Sequence, residues 1–477
     1  MDTKIILSPT TLKIAHILDS HGLRAILVGG TLRDHLLSIH FPDEFNNIKS
    51  KDVDIEVHGD TNFDQLSDVL SNIGKISLVG KSFGVIKLSV GEEDFDLSLP
   101  RRENSTGDKH TDFSVSFDNV SEKDAFKRRD FTINSIGLDI VADEWVDHFN
   151  GLEDILSRTL RVTDSKTFME DPLRVFRAVQ FASRFNLSIE KETLSLLQLI
   201  TTSGQLDSLP KERVGEEMKK LLLKSEKPSV GLNIMREIGI IKHFFSELHA
   251  LIGVPQNPVW HPEGCVWVHT CMAVDAMSKL KTGKNERDFL FLVTLLVHDL
   301  GKAEFTKIGE DGNITSIGHE VGGIEPAKKF MKKFIGSKDF IREVLILVKE
   351  HLAPPLLFRA NAGQKAIRRL AVRLHPFSIE SLALISKADS LGRMTENAIN
   401  GVSKSSDWIL LEAEKLNIKD QAEKPIIQGR DLIQFGIAPG PKFKEILNHF
   451  FELQLNGEVT NENKNEVIQK NNEIIYV

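Results

Sequence analysis

The chain has 477 residues, of which 41% are hydrophobic, and carries a formal net charge of -8. This composition supplies sizeable cores and excludes a disordered or fibrous protein. The acidic balance excludes a generally basic nucleic-acid binder, so any RNA contact must use local patches of Lys and Arg. At about 150 residues per domain, the length predicts about three domains.

The cysteine content and the N-terminus indicate the compartment. Cys265 and Cys271 fit no zinc-binding spacing, and one pair in a chain of this length is no disulfide framework, which favours a reducing environment. MDTKIILSPT lacks the basic and apolar regions of a signal peptide. The longest apolar run, FLFLVTLLV at 289–297, is too short to span a bilayer. These features predict a soluble cytoplasmic protein without a membrane partner.

The spacing of the hydrophobic residues changes along the chain. In the first ~140 residues, alternating segments predict strands and amphipathic segments predict helices. The predicted strands are LRAILVGG, DVDIEV, GVIKLSV and DFDLSL, and the predicted helices are LRDHLLSI and FDQLSDVLSNIG. From about residue 150 helical periodicity dominates. The prediction is an α+β fold, with an N-terminal sheet domain followed by an elongated all-α region. The Asn-rich stretch 456–473 predicts loose order.

One predicted strand collects acidic residues. In KSKDVDIEV, residues 49–57, the carboxylates of Asp52, Asp54 and Glu56 project from the same face. Neighbouring like charges repel, so a compensating cation is expected. Carboxylates at positions i and i+2 can converge on Mg²⁺, and two such ions can clamp a phosphoryl transfer. For an isolated D-x-D, a solvated strand face remains the alternative.

The segment ILVGGTLRD precedes this strand. It predicts a strand, then Gly29 and Gly30, then a helix whose first N–H groups could hold a triphosphate. Arg33 could add charge-assisted bonds to the phosphates. The order GG-x-x-R-D followed about 20 residues later by D-x-D resembles motif A of the class II branch of the polymerase-β-like nucleotidyltransferases.

This resemblance implies roles for the acidic strand. Asp52 and Asp54 become catalytic ligands of Mg²⁺, while Gly30 and Arg33 become nucleotide-binding residues. Glu56 receives no role and is predicted at the solvated surface. Either Asp96 or Asp94 could be the third carboxylate that many members of the superfamily use.

Further motifs follow in the family's order. KRRDFTINS, residues 127–135, resembles the second motif, and the match favours Arg129 over Arg128 as a phosphate or ribose contact. Asn134 could bond a ribose or hold the loop. Two segments resemble structural motifs of the hinge and neck, and their matching residues are Asp147, Gly151, Asp154 and Arg161 in 146–164, and Glu212 and Arg213 in 211–222.

EDPLRVFRAVQFASRF, residues 170–185, resembles the family's EDxxR motif. On a helix, Asp171 and Arg174 share a face. A carboxylate accepts from the exocyclic amine of cytosine or adenine, and a guanidinium donates to the bare ring nitrogen, whereas uracil and guanine present the opposite pattern. The pair can therefore select CTP and ATP without a template. Arg177 continues this face toward the triphosphate, and Gln180 stands where many relatives have a further Arg.

A second constellation lies downstream. His269, the His298–Asp299 pair in LLVHDLGK and Asp389 in ISKADSLGR resemble the metal ligands of the HD phosphohydrolases. Such mixed nitrogen and oxygen ligands suit Ni²⁺, Mn²⁺ or Mg²⁺, which can activate water against a phosphoester. His319 and His351 could contact substrate or support the ligands, or be ordinary histidines, and His261 is predicted to be positional.

The combination, spanning about residues 25–400, resembles the HD-containing bacterial CCA-adding enzymes (tRNA nucleotidyltransferases). It implies template-independent addition of CCA to the 3′ end of tRNA from CTP and ATP, with a phosphatase or cyclic phosphodiesterase in the HD domain. The predicted domains are a nucleotidyltransferase head at 1–145, a helical neck and body at 146–250, an HD domain at 251–400 and a helical tail at 401–477.

Three alternatives stay open. One is a poly(A) polymerase, a second is an enzyme that adds only CC or only A, and a third is an HD phosphohydrolase with a non-catalytic tRNA-binding head. The loop at 101–113 is where full and partial addition would differ. Both a monomer and a homodimer remain possible. A basic groove for tRNA is expected along the neck, with Lys219, Lys220 and Lys224.

Overall fold

The computed structural model describes residues 5–46, 53–80, 85–100, 102–105, 113–116 and 120–471. The chain divides into two compact units, one of Met1–Glu217 with Asn233–Phe244 and one of Met218–Leu232 with Phe245–Val477. The finer division at residues 145, 250 and 400 stays a prediction. The sheet domain followed by helices confirms the α+β class.

The first unit contains a seven-stranded sheet in the order β3-β4-β5-β2-β1-β8-β9. The chain forms its first nine strands here: β1 Arg24–Val28, β2 Val53–His58, β3 Lys75–Gly80, β4 Val85–Val90, β5 Glu93–Ser98, β6 Arg102–Ser105, β7 Phe113–Ser116, β8 Gly137–Asp139 and β9 Glu144–Val146. Strand β2 runs antiparallel to β1 and parallel to β5. All four predicted strands are confirmed. Strands β6 and β7 form a separate antiparallel pair.

Helices cover the sheet and continue beyond it. They are α1 Pro9–Ser20, α2 Gly30–His40, α3 Pro42–Phe45, α4 Phe63–Ser71, α5 Glu122–Lys127, α6 Gly151–Leu156, α7 Ser165–Phe168, α8 Arg174–Arg184, α9 Lys191–Thr202, α10 Lys211–Lys224, α11 Pro228–Glu237 and α12 Ile240–His243. Side chains that cap the first backbone N–H groups determine where α1 and α4 begin. Ser8 accepts from the backbone N–H of Thr11 at the start of α1, and Asn62 with Gln65 forms a capping box at α4. A short parallel pair joins β10 Thr159–Leu160 to β11 Ser188–Ile189.

The second unit is helical. Its elements are α13 Ser246–His249, α14 Val266–Lys279, α15 Asn285–Val297, α16 Lys302–Phe305, α17 His319–Gly322, α18 Ile324–Met331, α19 Lys338–Glu350, α20 Ala353–Arg359, α21 Gln364–Arg373, α22 Ile379–Leu391, α23 Glu396–Ile399, α24 Lys404–Lys415, α25 Gly429–Gln434, α26 Phe443–Leu455 and α27 Lys464–Lys470, with the short strands β12 Lys307–Ile308 and β13 Ile314–Thr315. Helix α15 is buried from Asp288 to its end, as expected of a helix that is apolar on all sides. Helix α14 packs against both α15 and α22.

The C-terminal part corrects one prediction. The stretch 456–473 contains α27, and Ile468 of that helix is fully buried in a cluster with Leu432 and Phe450. The apolar residues spaced along this polar stretch therefore order most of it. None of the helices in the described ranges combines the length and the apolar composition needed to cross a bilayer.

Candidate functional site

The acidic strand β2 lies at the centre of the sheet. Ile55 and Val57 are fully buried, which turns Asp54 to the opposite face of the strand. Asp54 lies directly across from Asp96 on β5. Because paired residues of neighbouring strands point to the same face, these two carboxylates are neighbours. Asp94 is exposed and accepts a hydrogen bond from Ser89, so the register favours Asp96 as the third carboxylate. Asp52 lies outside the described residues.

The turn between β1 and α2 explains the glycine pair. Gly29 has φ of 78°, a conformation that side chains rarely adopt. A Cβ at this position would lie 3.1 Å from Oδ2 of Asp54 and 3.8 Å from Nη1 of Arg129. Helix α2 begins at Gly30, as predicted. The resemblance assigned no role to Gly29. The structure shows that Gly29 brings the start of the helix beside the acidic strand.

Glu56 is not a solvated surface residue, and that prediction is wrong. Its side chain is only 9% exposed. One carboxylate oxygen lies 2.8 Å from Nε2 of His58, and the other accepts from Nη2 of Arg129 at 3.0 Å. Burial alone would raise the pKa of Glu56, but the bonds to His58 and Arg129 outweigh it and hold this pKa below its ordinary value. Glu56 therefore stays charged and orients Arg129.

Replacing Glu56 with glutamine is expected to raise KM for CTP, the substrate that the sequence motifs predict, about tenfold, with a smaller change in kcat, because a charge-assisted bond to Arg129 is worth about 1.5–3 kcal/mol. Steady-state incorporation kinetics measure the split. Glu92→Gln, an exposed change in the turn between β4 and β5, is the control. An unchanged KM in Glu56→Gln would show that Arg129 needs no carboxylate to hold its place.

A cleft of about 300 Å³ lies beside this face of the sheet. Its lining includes Glu56, Ser98, Arg128, Arg129 and Arg174, which gathers three guanidinium groups. Arg128 donates to Glu170 at 2.8 Å, whereas the guanidinium of Arg129 faces the strand that carries Asp54. Two of the predicted nucleotide-binding residues, Arg129 and Arg174, thus line one cleft.

Four side chains of the head form a continuous hydrogen-bonded chain, here called the polar relay: Arg33, Asn134, Asp130 and Arg177. Arg33 donates to Oδ1 of Asn134 at 2.6 Å, and Asn134 donates to Oδ1 of Asp130 at 2.9 Å. Arg177 donates to Oδ2 of Asp130 at 2.8 Å. Burial alone would raise the pKa of Asp130, but Arg177 and Asn134 hold it below its ordinary value. The relay links the start of α2 to α8.

The polar relay changes how two predicted residues are placed. Arg33 is 5% exposed, is also bonded to Asp34 at 2.6 Å, and has its guanidinium near the rings of both Phe181 and Phe185. Arg33 therefore braces the turn in this arrangement, and its predicted contact with a triphosphate would require these bonds to open. Asn134 holds the loop, which is one of its two predicted roles.

The EDxxR motif departs from the predicted geometry. Helix α8 begins at Arg174, so Asp171 precedes the helix and does not share a helical face with Arg174. Asp171 instead accepts from the backbone N–H of Leu173 and from Arg213 at 2.8 Å. Arg174 donates to the carbonyl oxygens of Thr167 and Arg128. Pro172 cannot donate a backbone hydrogen bond, which suits the turn that delays the helix start.

The neighbouring structural motifs are tightly packed. Asp147 accepts from the backbone N–H groups of Gly151 and Leu152, and Arg161 is paired with Asp154 at 3.1 Å. A Cβ on Gly151 would lie 2.2 Å from the carbonyl oxygen of Thr132, so only glycine fits there. Gln180 is 2% exposed. It lies in the interior of α8, so this position offers no surface to a phosphate.

The second unit brings all four predicted HD residues together. Nε2 of His269 lies 3.0 Å from Asp389 and 3.7 Å from Asp299, and Nε2 of His298 lies 3.2 Å from Asp299. His319 and His351 join them, at 3.1 and 3.9 Å from the other oxygen of Asp299. The ligand atoms thus fall into two groups that share Asp299, one with His269 and His298 and one with His319 and His351.

The hydrogen bonds of these histidines suit a metal centre. Nδ1 of His298, His319 and His351 donates to the backbone carbonyls of Leu295, Ser316 and Val348. This fixes the tautomer that leaves Nε2 bare toward the cluster. In the described part of the chain, Nε2 of His269, His298 and His319 is buried without a hydrogen-bond partner. Bare imidazole nitrogens beside carboxylates are the ligand set of a divalent transition metal.

The charges of the cluster are held by a surrounding set of residues. Burial would raise the pKa of Asp299, but His298 and Lys302 hold it well below its ordinary value. Burial would also raise the pKa of Asp389, but Arg393, 3.1 Å away, holds this pKa well below its ordinary value. Burial lowers the pKa of His351 to about 3, so His351 stays neutral and able to bind a metal.

Several residues of both sites were not predicted. Asp130 lies in the second motif and accepts a hydrogen bond from Arg177, 47 residues away. Arg213 lies in the neck motif and donates to Asp171, 42 residues away. Lys302 and Glu263 support the metal cluster, Lys302 through Asp299 at 2.8 Å and Glu263 through His269 at 3.0 Å. The signal that could have found them is their position within three to six residues of a predicted ligand, in HDLGK and HPEGCVWVH.

Three protein families match successive parts of the chain. Residues 25–161 match the poly(A) polymerase head domain, 186–252 the probable RNA and SrmB-binding site of polymerase A, and 321–469 the tRNA nucleotidyltransferase domain 2. The multifunctional CCA protein of Pasteurella multocida (strain Pm70) is 32% identical over 406 residues, which cover 83% of this chain and 91% of that protein.

Solved structures share the fold. The CCA-adding enzyme of Bacillus stearothermophilus, in complex with CTP, has a TM-score of 0.66 at 21% identity and covers 98% of this chain and 99% of its own. The Thermotoga maritima CCA-adding enzyme, complexed with tRNA, has a TM-score of 0.60 at 20% identity and covers 97% and 95%. Together with the identity to the curated relative, these matches lead to one conclusion: the chain belongs to the family of the multifunctional CCA proteins.

Proposed function

We propose that this chain adds C, C and A to the 3′ end of tRNA, using CTP and ATP without a template. The observation that carries the proposal is the 32% identity to a multifunctional CCA protein over 83% of the chain. The cleft lined by Arg129 and Arg174, beside the strand of Asp54, supports it. We also propose a cytoplasmic location, since a tRNA-processing enzyme works where its substrate is.

The residues of the head have proposed roles in this reaction. Asp52, Asp54 and Asp96 would hold Mg²⁺, which neutralises phosphate charge and lowers the barrier to attack on the α-phosphate. The start of α2 and Arg129 would bind the triphosphate. The tRNA 3′-hydroxyl replaces pyrophosphate on the α-phosphorus, so one P–O bond forms and one breaks. The polar relay would keep the triphosphate turn in register with α8.

Incorporation of labelled CTP and ATP into tRNA lacking its last three nucleotides tests the proposal. Addition of two C and one A, and then arrest, is the expected result. A long A tail would indicate a poly(A) polymerase, and addition of CC alone or A alone would indicate a partial enzyme. The loop at 101–113, where these would differ, lies mostly outside the described residues.

Asp171 is proposed to read the exocyclic amine of the incoming base. Replacing it with asparagine is expected to reduce the preference for CTP over UTP by about 100-fold, because an amide can donate to the uracil carbonyl as well as accept. The ratio of kcat/KM values measures this change. Glu212→Gln, on a side chain that is 70% exposed, is the control. An unchanged ratio would place base selection elsewhere.

We propose a second activity, hydrolysis of phosphoesters, at the cluster around Asp299. The specific observation is the set of buried, bare Nε2 atoms facing two carboxylates. Ni²⁺, Mn²⁺ or Mg²⁺ held there would activate water. Phosphates or 2′,3′-cyclic phosphates at damaged RNA ends are the proposed substrates.

The neck lysines stay a prediction for tRNA binding, although Lys219 is paired with Glu286.

A further inference from the structure

A pocket of about 350 Å³ opens above the metal-ligand cluster of the second unit. Asp299, His319, His351 and Asp389 line one part of it. Trp260 and Arg359 also line it. This volume lies at the lower end of the range for small-molecule sites. The pocket therefore offers room for more than a phosphate group.

Trp260 is unusual for a large aromatic residue because 50% of its surface is exposed. The guanidinium carbon of Arg359 lies 4.6 Å from the centre of its ring. Arg359 makes no ion pair with a carboxylate in the described ranges, so no carboxylate there neutralises its positive charge. A guanidinium stacked on an indole, with half of the residue open, is the arrangement on which nucleobases stack.

The loop that carries Trp260 is rigid. Backbone N–H groups of Trp260 and His261 both donate to the carbonyl oxygen of Asn257, at 3.1 and 2.9 Å. The side chain of Asn257 donates to Asn313 across the loop at 2.9 Å. His261 bonds to Glu263, and its ring packs edge-on against that of His269 with centroids 4.7 Å apart. These contacts tie the backbone at Trp260 to His261, whose ring packs against the proposed metal ligand His269.

We propose that Trp260, backed by Arg359, is a stacking platform for the base of a nucleotide whose phosphoester lies at the Asp299 cluster. The inference rests on the proposed hydrolase activity and deepens it, since it names the residues that would bind the base of the nucleotide. In the reaction, water forms a new P–O bond, the bond to a ribose oxygen breaks, and that oxygen takes a proton. The platform acts on binding and not on the bond-breaking step.

The test compares two substrates in the full-length protein loaded with Mn²⁺ or Ni²⁺. One is 2′,3′-cyclic AMP, and the other is methyl riboside 2′,3′-cyclic phosphate, which lacks the base. Trp260→Ala is expected to raise KM for cyclic AMP by about 5- to 100-fold, the range for loss of one stacked base, and to leave kcat and the base-free substrate unchanged. Trp260→Phe should restore most of the affinity. Ile317→Ala, an 85% exposed apolar change in the same pocket, is the control.

A second readout does not need catalysis. AMP should quench tryptophan emission of the native protein, and Trp260→Phe should abolish the quench while binding of AMP, followed by equilibrium dialysis, persists. Equal effects of Trp260→Ala on both substrates, or no effect on either, would overturn the platform. Quenching without hydrolysis of either substrate would support the platform and overturn the hydrolase. CTP incorporation should be unaffected in every variant.

Discussion

Replacing Asp54 with asparagine is expected to reduce incorporation of CTP and ATP by about 1000-fold or more, which corresponds to about 4 kcal/mol of transition-state stabilisation. Asparagine keeps the shape and the strand register but removes the charge that a bound Mg²⁺ requires. Because Asp54 lies across from Asp96 on the neighbouring strand, the loss cannot be compensated by a shift of β2 alone. Incorporation into tRNA lacking CCA measures the effect.

Asp94→Asn is the matched control for Asp54→Asn. Asp94 is also an acid on β5, but it is exposed and bonded to Ser89, so its replacement should leave incorporation near normal. Hydrolysis of a cyclic phosphate by the second unit should survive both changes. Near-normal incorporation in Asp54→Asn would mean that the catalytic carboxylates lie elsewhere in the head.

Replacing Asp299 with asparagine is expected to weaken metal binding in the second unit by at least about 100-fold, because Asp299 supplies an oxygen to both groups of histidines. Metal content per chain after dialysis measures this directly. Metal at 100 times its Kd stabilises a folded protein by about 2.7 kcal/mol, and this gain should disappear. Phosphoester hydrolysis should vanish while nucleotide incorporation continues.

The Asp299 variant also leaves Lys302 buried without its carboxylate, which carries a risk of unfolding. His319→Ala avoids that risk, since the Asp299–Lys302 pair stays intact. It is expected to remove only the metal held by His319 and His351 and to keep the metal held by His269 and His298. An unchanged metal content in His319→Ala would show that a single ion, bound by the other group, accounts for the site.

Much of the fold was predictable because its signals are local. The alternation in β2, the glycine pair before α2 and the apolar run of α15 each act within a few residues. The metal residues His269, His298, Asp299 and Asp389 were predicted from a resemblance, and the structure brings them together. His319 and His351 could not be separated from ordinary histidines, because only the folding of α17 and α19 toward α15 brings them to Asp299.

In three places the structure departs from the arrangement that the sequence predicts. Glu56 looks like a surface residue in an alternating strand, but its burial depends on Arg129 arriving from a segment 73 residues away. Asp171 and Arg174 have helical spacing, yet the helix starts only at Arg174. Arg33 is a residue type that binds phosphate, but its guanidinium already donates to Asp34 and Asn134 and contacts two phenylalanine rings. Distant partners decided the cases of Glu56 and Arg33, whereas the local turn at Pro172 decided that of Asp171 and Arg174.

The polar relay joins the turn before α2 to helix α8 through hydrogen bonds. Asp130 holds Arg177 with one oxygen and Asn134 with the other, and Asn134 in turn holds Arg33. A ligand that draws Arg177 away leaves a buried carboxylate short of a partner, and that cost is shared with the turn before α2. Two contacts with the triphosphate, one at the turn before α2 and one at Arg177, would then be cooperative, with a coupling free energy of about 1–3 kcal/mol.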